Sequence, residues 1–159
     1  MQSEPIVLHV LNDLILPCLA TGKLNRRRIR EYLKNRYSSS NFINDCAKGV
    51  VDALIAGGLA TADRIKLSFG MREISLPALT FVLHSEFPEP GMYDIAKVED
   101  NISIRTMLWY PSRILPSLYE LRNTGLISKI SEIDNVRQFT TRWTLDQAVE
   151  LLISGGKRP

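Results

Sequence analysis

The sequence predicts an α+β, helix-rich fold built from two tandem helix-turn-helix plus β-hairpin modules. Three observations predict it. Residues 111–143 run as an amphipathic helix, a Gly-Leu junction and two β-rich segments joined at Asp134-Asn135, the order of the last helix and wing of a winged-helix domain. Residues 51–83 echo residues 118–150 at a shift of 67. Val51 falls on Leu118, Leu54 on Leu121, Gly58-Leu59 on Gly125-Leu126, and Leu76 on Trp143. Between the copies, Phe87-Pro88-Glu89-Pro90-Gly91 is a rigid turn-former. Two winged-helix-like modules are therefore expected over residues 1–88 and 89–159. The competing expectation is one α+β domain with two unrelated hairpins.

Each element follows from its local pattern. Residues 5–19 carry Ile6, Val7, Val10, Leu11, Leu14 and Ile15 at helical spacing, with Pro5 suited to a first turn. Thr21-Gly22 breaks that helix. Asn25 caps a second helix reaching Arg36, with Ile29 and Leu33 inward. Ser38–Asn41 caps a third, to Ala56, striped by Phe42, Ile43, Cys46, Val50, Ala53 and Leu54. Leu59–Ala62 comes next, and then Arg64–Phe69 alternates as a half-buried strand, turning at Gly70-Met71 into Glu73–Leu76. Pro77–Phe87 reads as a short apolar helix, Tyr93–Val98 as one or two helical turns, and Ile102–Tyr110 as another short helix. In the final unit Ile114, Leu118 and Leu121 share a stripe, and Pro116 is tolerable only in a first turn. Strands are expected over Leu126–Ile133 and Val136–Trp143, then a helix over Thr144–Ile153 opened by a Thr144/Gln147 capping box.

Composition narrows the class. At 45% hydrophobic and 23% charged, the chain belongs with ordinary globular proteins and not with disordered ones. Its longest apolar run, Ile6–Ala20, is interrupted by His9, Asn12, Asp13 and Pro17, so no membrane span is expected. No positive charge precedes the run, so no signal peptide is expected and the location is read as cytoplasmic. Cys18 and Cys46 sit in apolar helical settings and read as reduced core thiols. The net charge of +3 is uneven: residues 1–40 hold +4, residues 41–90 hold −2, and residues 91–159 hold +1. A basic excess near the N-terminus points to an anionic partner.

The strongest candidate site is Asn25-Arg26-Arg27-Arg28-Ile29-Arg30. Four guanidiniums at a helix start repel one another and oppose the helix dipole. An anion would relieve both, and phosphate fits the planar guanidinium fork. Double-stranded DNA contact is therefore assigned to Arg26, Arg27, Arg28, Arg30 and Lys34. The alternative is a solvated face paired with Glu31, Asp13 or residues of another module. Two recognition-helix candidates follow. The first offers Ser39, Ser40, Asn41, Asn44 and Lys48; the second offers Arg113, Ser117 and Arg122, with Ser112 and Tyr119 alongside. Wing tips are expected at Phe69–Arg72 and Asp134–Arg137. Trp109, Tyr110 and Trp143 could stack on bases but read more readily as core.

Enzymatic constellations do not emerge. His9 and His84 stand apart from ligand-spaced partners. Walker, dinucleotide and nucleophile-elbow patterns are missing. Asp94, Glu99 and Asp100 read as a solvated acidic cluster. The expectation is a protein without catalysis, cofactor or metal. A protein–protein adaptor and a dimeric transcriptional regulator are the alternatives.

The runs Leu76-Pro77-Ala78-Leu79-Thr80-Phe81-Val82-Leu83-His84 and Phe87-Pro88-Glu89-Pro90-Gly91-Met92-Tyr93-Asp94-Ile95, with the later Leu118, Leu121 and Gly125-Leu126-Ile127 junction, resemble the BrxA family of BREX phage-resistance systems. The resemblance spans roughly residues 40–152 as a pattern of elements. It implies winged-helix-type modules, DNA binding, and an accessory defence role beside a methyltransferase and other system components. No family motif assigns a role to an individual residue here.

Overall fold

The computed structural model describes residues 6–37 and 41–155. The chain is α+β, with eight α-helices and two three-stranded antiparallel sheets among the described residues. It forms two compact units. The first runs to Met71 and takes in Thr106–Leu108; the second holds Arg72–Arg105 and resumes at Trp109. The division thus falls at Met71/Arg72 and not at residue 88, because the helix Leu76–Glu86 packs with the helices of the second unit.

In the first unit, α1 (Ile6–Val10) widens into a π-helical turn, Leu11–Ile15, and tightens into a 3-10 turn, Leu16–Cys18. Pro17 explains the irregularity. It lacks an N–H, and its ring would strike the carbonyl of Asp13 in a regular α-helix. A three-residue strand β1 (Lys23–Asn25) leads into α2 (Arg26–Tyr37), where Asn25 Oδ1 accepts the Arg27 N–H at 2.9 Å. After α3 (Ile43–Ala56) come β2 (Thr61–Ala62) and β3 (Lys66–Ser68). β3 is central, between β1 and β2. The expected hairpin around Gly70-Met71 does not form. The turn is instead Asp63–Ile65, because Leu67, fully buried, pairs with both Leu24 and Ala62. Ile29, Leu33, Val50, Val51, Leu54 and Leu67 pack with Val10, Ile15 and Leu108 in one core.

In the second unit, α4 (Leu76–Glu86) is followed by β4 (Met92–Asp94), α5 (Ile95–Glu99) and α6 (Ile102–Arg105). A 3-10 turn, Pro111–Arg113, opens into α7 (Ile114–Asn123), so Pro116 does fall near a helix start. β5 (Lys129–Ile133) and β6 (Val136–Thr140) turn at Asp134, whose φ of 54° is the positive value anticipated for Asp134-Asn135. α8 (Leu145–Ile153) begins at Thr144 with the expected capping box to Gln147. Phe87, Tyr93 and Phe139 form an aromatic cluster with centroids 4.9–5.7 Å apart. Trp109 is buried, as read from sequence, and Trp143 is half-buried with Nε1 donating to the Gly125 carbonyl at 2.9 Å.

The internal echo is real in backbone detail. Each unit runs helix, strand, helix or helices, strand, strand, and each sheet keeps its last strand in the centre. Ser68 pairs with Lys23 and Thr61 as Thr140 pairs with Met92 and Lys129. At the ends of α3 and α7, Leu59 N donates to Leu54 O and Leu126 N to Leu121 O, both at 2.9 Å. Gly58 (φ 67°) and Gly125 (φ 81°) supply the left-handed residue that each such stop requires. The equivalence then slips. The β5–β6 hairpin is longer, so Leu76 is not the counterpart of Trp143, and α4 serves as the opening helix of the second unit.

Candidate nucleic-acid interface

The helical period sorts the arginine cluster. Ile29 and Leu33 face the core, which leaves Arg26, Arg30 and Lys34 at four-residue spacing along one edge of α2. On α3, Asn44 and Lys48 form a parallel exposed stripe beside buried Ala47 and Val51. Two clefts open between these helices. One, of about 400 Å³, is lined by Arg26, Arg30, Asn44, Lys48 and Arg64 over a floor of Ala47 and Val51. The other, of about 490 Å³, is lined by Arg27, Arg30, Glu31, Lys34, Ile43 and Asn44. Arg30 and Asn44 belong to both.

Arg64 was invisible to the sequence patterns because its segment alternates like a strand. It is placed by the turn around it. The Asp63 carboxylate accepts the backbone N–H groups of Ile65 and Lys66, each at 2.7 Å. Those donors, Lys66 first, hold its carboxyl below the usual range. Arg26 ties the turn to α2 twice: its backbone N–H donates to Ile65 O, and its Nη1 donates to Asp63 O, both at 2.8 Å. The Asx turn Asp63-Arg64-Ile65 was the one available signal for it.

The remaining assignments divide. Arg27 lines the second cleft and pairs with Glu31 at 2.8 Å across one exposed helical turn, a contact of small energetic weight. Arg28 turns away, its Nη1 lying 3.8 Å from Cys18 Sγ, so it does not join the other arginines. Arg36 is engaged by Asp13 at 3.4 Å. The Tyr32 hydroxyl also donates to Asp13, and burial first, with that bond second, pushes Tyr32 up to about 12. Arg30, Lys34, Lys48 and Arg64 make no ion pair among the described residues. Ser39 and Ser40 lie outside the described residues. Asn41 is exposed ahead of α3 but lines neither cleft. The turn of the first sheet lies at Asp63–Ile65, not at Phe69–Arg72 where the sequence reading put it.

In the second unit the candidates do not converge. Ser117, expected on a contact face, is 3% exposed on the inward face of α7 beside Ile114, Leu118 and Leu121, so its hydroxyl does not reach the surface. Arg113 faces Glu73 at 3.9 Å. Arg122 stacks over Tyr119 at 4.8 Å and lines a separate cleft of about 630 Å³ with Leu126 and Trp143. The Tyr119 hydroxyl donates to the Glu132 carboxylate, which raises its pKa. By the shared strand register and helix stops, Arg26 corresponds to Ile95, Arg30 to Glu99, Asn44 to Pro111 and Lys48 to Leu115. Glu99 is bridged by Arg137 at 3.4 Å. Among the described residues, these four positions of the second unit do not repeat the cationic lining of the first.

Comparison with protein-family models, curated proteins and solved structures finds no match to this chain. No helix among the described residues is long and apolar enough to cross a membrane.

Proposed function

We propose that the chain binds double-stranded DNA, without catalysis, through the α2–α3 face of its first unit. One observation carries this: the two adjoining clefts gather six cationic side chains against a single carboxylate, Glu31. Uncompensated guanidinium and ammonium groups in a groove attract a polyanion and gain from counterion release. The element order and strand register support winged-helix modules. In that geometry α3 enters the major groove, α2 crosses the backbone, and the Asp63–Ile65 turn is the wing. An accessory role in phage defence, beside a methyltransferase, rests on the resemblance of residues 76–95 and 118–127 to the BrxA family. Fluorescence anisotropy with a labelled duplex tests the binding, and no change at micromolar protein and physiological salt would defeat it.

A protein–protein adaptor role is the second reading, and it applies to the second unit. There the cationic positions are replaced by Ile95, Glu99, Pro111 and Leu115, while Ile133 and Val136 stand exposed, 68% and 54%, beside the hairpin tip. Pull-down by the second unit's surface with Ile133→Ser as control separates that role from DNA binding.

A further inference from the structure

We propose that the cleft walled by Arg26, Arg30, Lys48 and Arg64 is a seat for one phosphodiester of the DNA backbone, so that this face tracks a strand without reading its sequence. The proposal rests on the DNA-binding reading above and specifies what that site recognises. Its walls come from three separate elements: α2, α3 and the Asp63–Ile65 turn. Guanidinium and ammonium groups donate hydrogen bonds and accept none, so the one side-chain acceptor in the lining is the Asn44 amide oxygen. Guanine alone presents an all-acceptor major-groove edge, and its two coplanar acceptors would meet only part of a donor wall contributed by three elements; the other base pairs present mixed patterns. A wall of donors suits a ligand whose oxygens all accept.

Charge leads to the same ligand. The cleft lining contains no carboxylate, and Arg30, Lys48 and Arg64 are unpaired among the described residues. The nearest acid in sequence, Asp63, spends its carboxylate on the N–H groups of its own turn. Arg26 is anchored through Nη1, which leaves its remaining donors available. The second cleft, sharing Arg30 and Asn44, continues the seat toward Arg27 and Lys34, as successive phosphates on one strand require. The second unit provides an internal contrast, with Ile95, Glu99 and Leu115 at the corresponding places.

The test uses the full chain with two short duplexes of unrelated sequence and, separately, inorganic pyrophosphate. Arg64→Gln and Lys48→Gln are compared with Lys66→Gln, an exposed strand residue outside both clefts. Pyrophosphate is expected to shift the Nε–H resonances of Arg26, Arg30 and Arg64. Arg64→Gln and Lys48→Gln are each expected to weaken both duplexes by the same factor, severalfold. Each should also lower the slope of log K against log salt by about 0.9, with Lys66→Gln changing neither. If the duplexes bind but Arg64→Gln leaves the slope intact, or alters the preference between them, the phosphate seat is wrong while DNA binding stands. If pyrophosphate shifts these arginines but no duplex binds, the cleft takes a small anion, and both the DNA reading and the phosphodiester assignment fall. If neither binds, both fall.

Discussion

Arg26 Nη1 donates to the carbonyl oxygen of Asp63 at 2.8 Å, bridging 37 residues of sequence. That bond joins the first turn of α2 to the β2–β3 turn and so brings Arg64 to the same cleft as Arg30 and Lys48. Asp63, which carries an acid next to Arg64 in sequence, is thereby a scaffold for the groove.

Asp63→Ala should therefore weaken DNA binding, although it removes a negative charge from a DNA-facing surface. Simple charge counting predicts tighter binding. Loss of the two hydrogen bonds to Ile65 and Lys66 loosens the turn that carries Arg64 to the cleft. Amide exchange at those two residues and anisotropy with a duplex check the sign.

Glu31→Gln has the opposite expectation. Its pair with Arg27 is exposed on both sides, so thermal stability should change by less than about 0.5 kcal/mol. Freed of its partner, Arg27 should strengthen duplex binding two- to threefold, on the order of 0.5 kcal/mol for one added exposed contact. Denaturant titration and anisotropy give the two numbers.

His84 gives the second unit a pH dependence. The ring is fully buried; Nδ1 lies 2.8 Å from the Thr80 carbonyl, to which it donates, and Nε2 has no partner among the described residues. Burial lowers its pKa below 6.5, only partly offset by the Thr80 bond. The native state therefore holds the neutral ring, whereas the unfolded chain protonates near 6.5. Stability from this group is present above about pH 6.5 and is lost as pH falls below it. His84→Phe should flatten the difference in Tm between pH 7.5 and pH 5.

Gly58→Ala and Gly125→Ala should each cost about 1 kcal/mol, because each glycine holds a left-handed φ at the end of an equivalent helix. The Gly125 change should also perturb Trp143, whose indole donates to the Gly125 carbonyl, whereas the Gly58 change should not. Urea melts followed by tryptophan emission distinguish them.

Much of the fold was legible because its signals are local. The capping box at Thr144, the Gly-Leu stops after α3 and α7, and the positive φ at Asp134 each need only a few neighbouring residues. The three-residue strands Lys23–Asn25 and Met92–Asp94 were not legible, since each is defined by pairing with a strand more than forty residues away. Misplacing the first hairpin followed from that omission. Leu67 alternates with its neighbours in either register, and only β1 shows that its partner is Leu24. The site divided in the same way. Arg30, Asn44 and Lys48, named on two separate helices from sequence, line one cleft, but the run of four arginines gave no sign that Arg28 turns toward Cys18. Ser117 looked polar and available on a helix whose inward face was still unknown.

The most direct test of DNA binding through the α2–α3 face is the salt dependence of duplex affinity for the wild type and for Arg26→Ala/Arg30→Ala/Lys48→Ala. The triple variant should bind more weakly and lose about 2.7 from the slope of log K against log salt. A folded triple variant with the wild-type slope would contradict it.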